Sequence, residues 1–239
     1  MAAALTACGP TYMLTMRPSK GSGLWADGSE TARQQHDSVD VRISFVRYEM
    51  SKMVFDVDFR NNTSRALSVG PTDFYIQPLV TQPVASTVAT PYMPGRMTAF
   101  DPEVQIQELA SRVAEESAAA THVGTNEVLT SLSHVVDDLA SLKKKETKEQ
   151  ERARETKQKE ENDYFTQQRL EAAAAADQHR AQLEELRSGA LRHNTVEPGQ
   201  RLRGYVAFPR VDKADLIRIS APGMAGGTTL DFIQIRTVH

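Results

Sequence analysis

The sequence predicts an α+β protein in which an antiparallel β-sandwich is interrupted by a long helical insertion. Two observations predict this fold class. Apolar and polar residues alternate with period two, as in half-buried strands, within residues 37–100 and again within 194–239. Between these blocks, residues 101–193 contain a single proline near their start, and apolar residues recur there at helical spacing.

Composition excludes several classes of protein. The 239 residues are 40% hydrophobic and 25% charged, with a formal net charge of -3, so the basic excess typical of nucleic-acid binding is missing and no nucleic-acid partner is expected. The single cysteine, Cys8, excludes an intrachain disulfide and a zinc site built from several thiolates. No apolar run approaches the ~18 residues that a membrane-spanning helix needs.

The amino terminus carries the strongest motif. Leu5-Thr6-Ala7-Cys8 resembles the lipobox of bacterial lipoproteins, with an aliphatic residue three positions before the cysteine and small residues next to it. In that family the signal peptide is removed before the cysteine, whose thiol then carries lipid. The resemblance implies lipidation of Cys8, membrane lipid as a partner, and an envelope location. Gly9, where an aspartate would retain the protein at the inner membrane, implies the outer membrane, facing the periplasm.

Residues 1–36 are therefore interpreted as a truncated signal-peptide remnant, the lipobox and a flexible tether. Only seven residues precede Cys8 and none is basic, which favours a start codon placed too late. The alternative is a frayed terminus with an incidental cysteine. Glycine and proline punctuation predicts no regular structure in residues 9–36, and Trp25 is expected to dock on the folded part.

The first β block begins with a predicted hairpin. Its two strands and two shorter ones that follow are expected at residues 39–46, 54–59, 66–69 and 73–76. Asn61-Asn62-Thr63-Ser64 has the composition of a turn. The second block predicts three more strands, at residues 202–208, 216–219 and 230–235.

Together the two blocks have about 110 residues and seven strands, the size of an immunoglobulin-like sandwich. Two stretches add a resemblance to small immunoglobulin-like domains of bacterial envelopes. These are residues 58–74, with the Asn61-Asn62-Thr63 turn and Asp73-Phe74, and residues 195–208, with Glu197-Pro198-Gly199 before a strand. The resemblance implies an immunoglobulin-like fold and no particular activity. In those domains the connection between the two stretches is short, whereas here an insertion separates them.

The insertion, residues 101–193, begins with a helix start. Asp101 is a suitable N-cap, Pro102 fits the first helical position, and His122-Val123-Gly124 ends the first helix. Thr125 or Asn126 starts a second helix, in which five apolar residues follow a heptad pattern: Val128, Leu132, Val135, Leu139 and Leu142. We interpret this seam as packing on a neighbouring helix of the same chain, in preference to an intermolecular coiled coil.

Apolar residues then almost vanish over residues 143–161, which predicts a solvent-exposed helix. They resume over residues 164–190, so the insertion is expected to form a coiled-coil-like hairpin with a bend near residues 161–163. A single helix over residues 126–187 is disfavoured, because residues 101–122 are too few to span the length of such a helix.

No catalytic, phosphate-binding or dinucleotide-binding motif occurs, so no enzyme activity, cofactor or metal site is expected. His134 and Asp138, one helical turn apart, are interpreted as a surface contact. The glycine-rich residues 223–227 are interpreted as a hairpin loop, since no helix or lysine follows them. A hydrolase would require histidines and carboxylates to converge in space.

These patterns predict a lipid-anchored, non-enzymatic interaction or scaffold module that contacts a protein partner in the cell envelope through its helical insertion. The alternative is a periplasmic protein that binds a small ligand or glycan in a cleft between the sandwich and the helices. Candidate aromatic residues for such a cleft are Tyr92, Phe100 and Tyr164.

Overall fold

The computed structural model describes residues 12–20, 25–26, 28–36, 39–80, 95–143, 147–222 and 229–238. These residues form two compact units. The first, here called the β unit, takes the described residues up to Glu103 and those from Gly189 onwards. The second, here called the helical unit, takes Val104–Ser188.

The described strands of the β unit are short to medium in length. Before the helices they are β1 (Tyr12–Pro18), β2 (Trp25–Ala26), β3 (Ser29–His36), β4 (Val39–Tyr48), β5 (Lys52–Asn61), β6 (Leu67–Val69), β7 (Tyr75–Leu79) and β8 (Met97–Thr98). After the helices they are β9 (Asn194–Val196), β10 (Arg201–Pro209), β11 (Leu216–Ser220) and β12 (Leu230–Val238). The seven strands predicted from alternation are confirmed as β4, β5, β6, β7, β10, β11 and β12.

These strands make two antiparallel sheets and one small ribbon. The first sheet has the order β1-β12-β11-β7-β8, the second has the order β10-β5-β4-β3-β2, and β6 pairs with β9. Each of the three therefore contains strands from both sequence blocks. The α+β class, with antiparallel sheets and a long helical insertion, is confirmed.

The two sheets share one hydrophobic core, centred on Phe55 of β5. Its ring lies 5.8 Å from that of Phe208 on the neighbouring strand β10 and 5.3 Å from that of Phe232 on β12 of the opposite sheet, both edge to face. All three rings are fully buried. Aromatic pairs in this geometry contribute beyond the area they bury, so Phe55 ties the sheets together.

Asn61 fastens the end of β5 to the carboxy-terminal block. Its buried side-chain amide donates hydrogen bonds to the carbonyls of Arg65 and Val196, each at 2.8 Å, and its Oδ1 accepts one from the backbone N–H of Thr63 at 2.9 Å. Its backbone N–H donates to Gln200 and its carbonyl accepts from Gly199. The residue expected only to make a turn is thus a junction between the two blocks.

The prediction of a tether over residues 9–36 is wrong for much of its length. β1 pairs with β12 over seven residues, from Tyr12 opposite Val238 to Pro18 opposite Phe232. β3 pairs with β4, although Ala32 is its only buried apolar residue. Backbone pairing, which depends little on side chains, holds this polar strand. Trp25 is 71% exposed and is not docked.

Arg33 of β3 and Asp40 of β4 form a bidentate ion pair across this polar edge. The Arg33 Nε and Nη2 atoms donate to the two carboxylate oxygens of Asp40 at 2.9 and 2.8 Å. The hydrogen bonds from Arg33 hold the pKa of the largely buried Asp40 carboxyl below its usual value. Ionised Asp40 therefore stabilises the pairing of β3 with β4.

The helical insertion leaves and rejoins the β unit at one strand. The backbone N–H of Phe100 donates to the carbonyl of Ala207, and that of Leu191 donates to the carbonyl of Tyr205, two residues away on β10. Glu103 and Arg192 form an ion pair at 2.5 Å beside these two hydrogen bonds. We call this attachment, at residues 100–103 and 189–192, the root of the insertion. The hydrogen bond from Arg192 lowers the pKa of the Glu103 carboxyl.

Gly204, on β10 beside the root, has no room for a side chain. A Cβ atom there would lie 2.5 Å from the backbone nitrogen of Leu191 and 2.9 Å from the carbonyl carbon of Ala190. Glycine therefore allows the returning chain to run directly against β10.

The helical unit contains the helices that follow. They are α1 (Pro102–Thr121), whose first two residues belong to the β unit, α2 (Thr125–Lys143) and α3 (Lys148–Gly189). The predicted helix start at Pro102 and the break before Thr125 are confirmed. The predicted bend at residues 161–163 is wrong, because α3 runs through it without interruption for 42 residues. Residues 102–143, which contain α1 and α2, are as many as the residues of α3, so the two helices together can pair with α3 along its length.

We expect Asn61→Ala to lower the free energy of unfolding of the β unit by about 1–3 kcal/mol, since the carbonyl of Val196 loses the side-chain donor of Asn61, while that of Arg65 keeps a hydrogen bond from the Thr63 hydroxyl. Urea denaturation followed by intrinsic fluorescence measures the change. Asn62→Ala, at the exposed neighbouring position, is the control and should change the value by less than about 0.5 kcal/mol. Equal losses in the two variants would contradict the role given to Asn61.

We expect Asp40→Asn to cost about 1–2 kcal/mol at neutral pH and to reduce the acid sensitivity of the β unit. The contribution of a carboxylate with a lowered pKa is complete above its ordinary pKa of about 4 and is lost as pH falls through the folded-state value. Urea denaturation at a series of acidic pH values measures the free energy of unfolding, which should fall less steeply with decreasing pH for Asp40→Asn than for the wild type. Glu197→Gln, an exposed control, should keep the wild-type slope.

Candidate interaction site

The helical unit is an antiparallel hairpin whose root end is apolar. Ile106 and Leu109 of α1 are buried together with Leu183 of α3, and Ala110, Val113 and Leu186 pack around them. Farther along, Glu116 of α1 accepts a hydrogen bond from His179 of α3 at 2.8 Å when that ring nitrogen carries the proton. Residues further along α1 therefore contact residues nearer the start of α3, as expected for antiparallel helices.

The far end of the hairpin is held by charged and polar contacts between α2 and α3. Arg169 donates to Glu127 at 2.5 Å, and His134 Nε2 lies 2.5 Å from Glu161. Nearer the turn, Asp138 accepts hydrogen bonds from Arg154 and from Gln158. His134, expected to contact Asp138, therefore contacts α3 instead.

The inward side of α3 changes character along its length. Among its less exposed residues, one series recurs every three or four positions: Arg154, Gln158, Glu161, Phe165, Arg169, Ala172, Ala176, His179, Leu183 and Leu186. From the turn to the root, this series passes from charged and polar to small and then to large apolar side chains. Hydrophobic burial therefore stabilises the root end, while the turn end depends on ion pairs and hydrogen bonds, which contribute less in water.

α2 does not pack on α3 through the apolar heptad positions that the sequence predicted. A polar face of α2 meets α3 instead. Its less exposed residues are polar: Glu127, Thr130, His134 and Ser141. The apolar residues of the seam, whose heptad phase is displaced by about one position from these, are exposed, at 45% for Val128, 56% for Leu132, 55% for Val135 and 58% for Leu139. The preferred interpretation, packing of this seam within the chain, is therefore wrong for these four residues. Leu142, the fifth, has no described side chain.

The chain break before α2 accounts for this change of phase. One residue corresponds to a rotation of about 100° on a helix, so a seam displaced by one position points sideways from α3. Residues 122–124 separate α1 from α2, so the rotation of α2 about its own axis is not set by that of α1. It turns its ion-pairing residues to α3 and leaves an apolar face open, which we call the α2 stripe: Val128, Leu129, Leu132, Val135, Val136 and Leu139.

A cavity of about 340 Å³ lies beside the helix break, within the helical unit. Its lining is mixed polar and apolar and includes the Glu127–Arg169 ion pair. The lining residues are Ala119, His122, Gly124, Thr125, Asn126, Glu127, Phe165, Gln168, Arg169 and Ala172. Its volume is at the lower end of the range for small-molecule sites, about 300–1,000 Å³.

The aromatic residues expected to line a ligand cleft are not shown together. Tyr92 is outside the described residues. Phe100 belongs to the β unit, where the Lys52 ammonium lies 5.3 Å from its ring centroid, and Tyr164 belongs to α3, where its ring stacks edge to face with that of Phe165 at 5.5 Å. Cys8 and residues 223–227 also lie outside the described residues.

Within the described ranges, no three histidine, cysteine, aspartate or glutamate side chains converge in a way that could hold a metal ion. None of the described helices combines the length and the apolar character needed to cross a lipid bilayer. Comparison of the chain with protein-family models, with curated proteins and with solved structures finds no match. The α2 stripe, which the sequence identified as a heptad seam, is the surface of the helical unit that most resembles an interaction site.

We expect Leu183→Ala to destabilise the helical unit by about 2–3 kcal/mol, because it removes buried contacts with Ile106 and Leu109. Thermal denaturation monitored by far-ultraviolet circular dichroism measures the change in helical signal. Leu170→Ala, which alters a residue of the same type on the same helix that is 60% exposed, is the control and should cost less than about 0.5 kcal/mol. Similar losses for both variants would contradict the apolar root end.

Proposed function

We propose that this chain is a lipid-anchored, non-enzymatic protein of the bacterial cell envelope that binds a protein partner through its helical unit. The observation that carries the interaction role is the exposed α2 stripe. Soluble monomers seldom leave a continuous apolar patch of this kind open, and such patches mark binding surfaces. A helix with a polar face on its neighbour and an apolar face open is suited to helix-on-helix recognition.

The anchoring role rests on Leu5-Thr6-Ala7-Cys8 and its resemblance to a lipobox. Acyl chains contribute about 0.8 kcal/mol per buried methylene, and two or more chains on one cysteine make a stable anchor. A thioether-linked diacylglycerol on Cys8 would hold the β unit at a membrane surface, with the outer membrane as the expected location.

For the β unit we propose the immunoglobulin-like assignment. Its support is a pair of antiparallel sheets with one core, to which both sequence blocks contribute, and the Asn61 junction, which lies within the stretch that resembles envelope domains. In this assignment the β unit is a stable carrier. The helical unit, inserted at one strand of that carrier, presents the binding surface.

A second candidate is a small-ligand or glycan-binding protein. The observation that favours it is the cavity beside the helix break, where Arg169 and Glu127 could orient a polar ligand. Their ion pair already occupies both charged groups, and the cavity is small, so protein binding through the stripe is the better supported function.

The test of the anchor expresses the chain behind an intact lipoprotein signal peptide in a Gram-negative bacterium, with metabolic labelling by a palmitate analogue. We expect the label and the protein in the outer-membrane fraction, and we expect Cys8→Ser to abolish both. Gly9→Asp is the matched control: it keeps the thiol and should retain the label but move the protein to the inner membrane. Unchanged membrane fractionation of Cys8→Ser would refute the anchor.

In the same cells, replacing residues 104–188 by a short glycine–serine linker tests the binding role. The Glu103–Arg192 ion pair and the adjacent carbonyl contacts on β10 hold the two ends close together, so the β unit should fold and remain membrane-bound. Chemical crosslinks to a partner protein should disappear. Crosslinks that persist without the helical unit would refute a role for it in binding.

A further inference from the structure

The α2 stripe is wide, and the segment from Val128 to Val136, which contains five of its six residues, carries no acidic or basic side chain other than His134. The six side chains of the stripe are between 45% and 63% exposed. A partner recognised by charge would find no counter-charge along these turns, so the stripe fits another uncharged apolar helix face.

The stripe occupies three positions of each heptad, since Leu129 and Val136 widen the seam formed by the other four residues. A seam of two positions per heptad is typical of a two-stranded coiled coil, whereas three are typical of helices that face the core of a bundle. Among the described residues of the helical unit, the buried apolar cluster lies at the root end and not at the turn end. A second apolar helix face against the stripe would supply such a cluster at the turn end.

We infer that the α2 stripe pairs two copies of this chain, α2 against α2, so that two hairpins form a helical bundle. The inference rests on the proposed function, because it names a second copy of the chain as the protein that the helical unit binds. Two copies of the stripe have the same length, width and apolar character, so each can cover the other. Closed two-fold pairs are the commonest assemblies of identical chains.

The available area is sufficient for such a pair. The six partly exposed side chains leave on the order of 500 Å² of apolar surface open on each copy, so that two copies would bury about 1,000 Å², the lower limit of a specific interface. Confinement of anchored chains to one membrane would raise their effective concentration and favour the pair.

Sedimentation equilibrium of residues 1–239 carrying Cys8→Ser tests the inference, with no thiol available to link two copies. We expect the weight-average mass to rise from that of one chain towards twice that value as concentration increases. Leu132→Glu with Val135→Glu places two charges on the stripe and should raise the dissociation constant by about 100-fold or more. Both positions are exposed, so the circular dichroism spectrum should stay as in the parent.

The matched control is Leu170→Glu with Ala174→Glu, which places two charges four residues apart on an exposed part of α3. It should self-associate like the parent. A parent that is monomeric at every concentration, or a stripe variant that associates as strongly as the control, would overturn the inference. A monomeric parent whose helical unit still crosslinks to a different protein in cells would overturn self-association alone and leave the proposed binding role intact.

Discussion

The pairing of β10 with β5 is the contact on which the rest of the structure depends. It runs from Arg201 opposite Arg60 to Pro209 opposite Lys52, and it joins segments separated by more than 140 residues of sequence. This ladder brings Phe208 beside Phe55 and the carbonyl of Val196 within reach of Asn61. Without it the second sheet would contain no strand of the carboxy-terminal block, and the insertion would have no common root.

The same ladder explains how a long insertion is compatible with a stable β unit. One side of β10 pairs with β5, and the other accepts hydrogen bonds from Phe100 and Leu191, where the chain leaves for the helices and returns. The insertion therefore covers part of a sheet edge that would otherwise expose unpaired backbone groups. Gly204 makes the close approach of the returning chain possible. The β unit can thus keep its own core while it carries the insertion.

Within the helical unit, folding stability and the proposed binding role would both use apolar residues. The root end uses Ile106, Leu109 and Leu183 to close its own interior. The turn end closes with ion pairs such as Glu127–Arg169 and leaves its valines and leucines open. An ion pair at a partly exposed site contributes little net stability, so the turn end is the part of the hairpin that has most to gain from a partner.

Local sequence patterns were enough to predict the elements with strong signals: the alternating strands β4, β5 and β10, the helix start at Pro102, the break before Thr125 and the heptad seam of α2. Period-two and heptad patterns are read from neighbouring residues, so they need no tertiary information. Only the tertiary structure decided the strand character of β1 and β3, the position of the hairpin turn and the rotation of α2. β3 is polar and exists because β4 offers it a hydrogen-bonding edge. α3 remains helical through residues 161–163, where Glu161 contacts His134 of α2. The seam of α2 stays exposed because ion pairs fixed which face meets α3. Such choices depend on partners distant in sequence, and a local pattern carries no information about them.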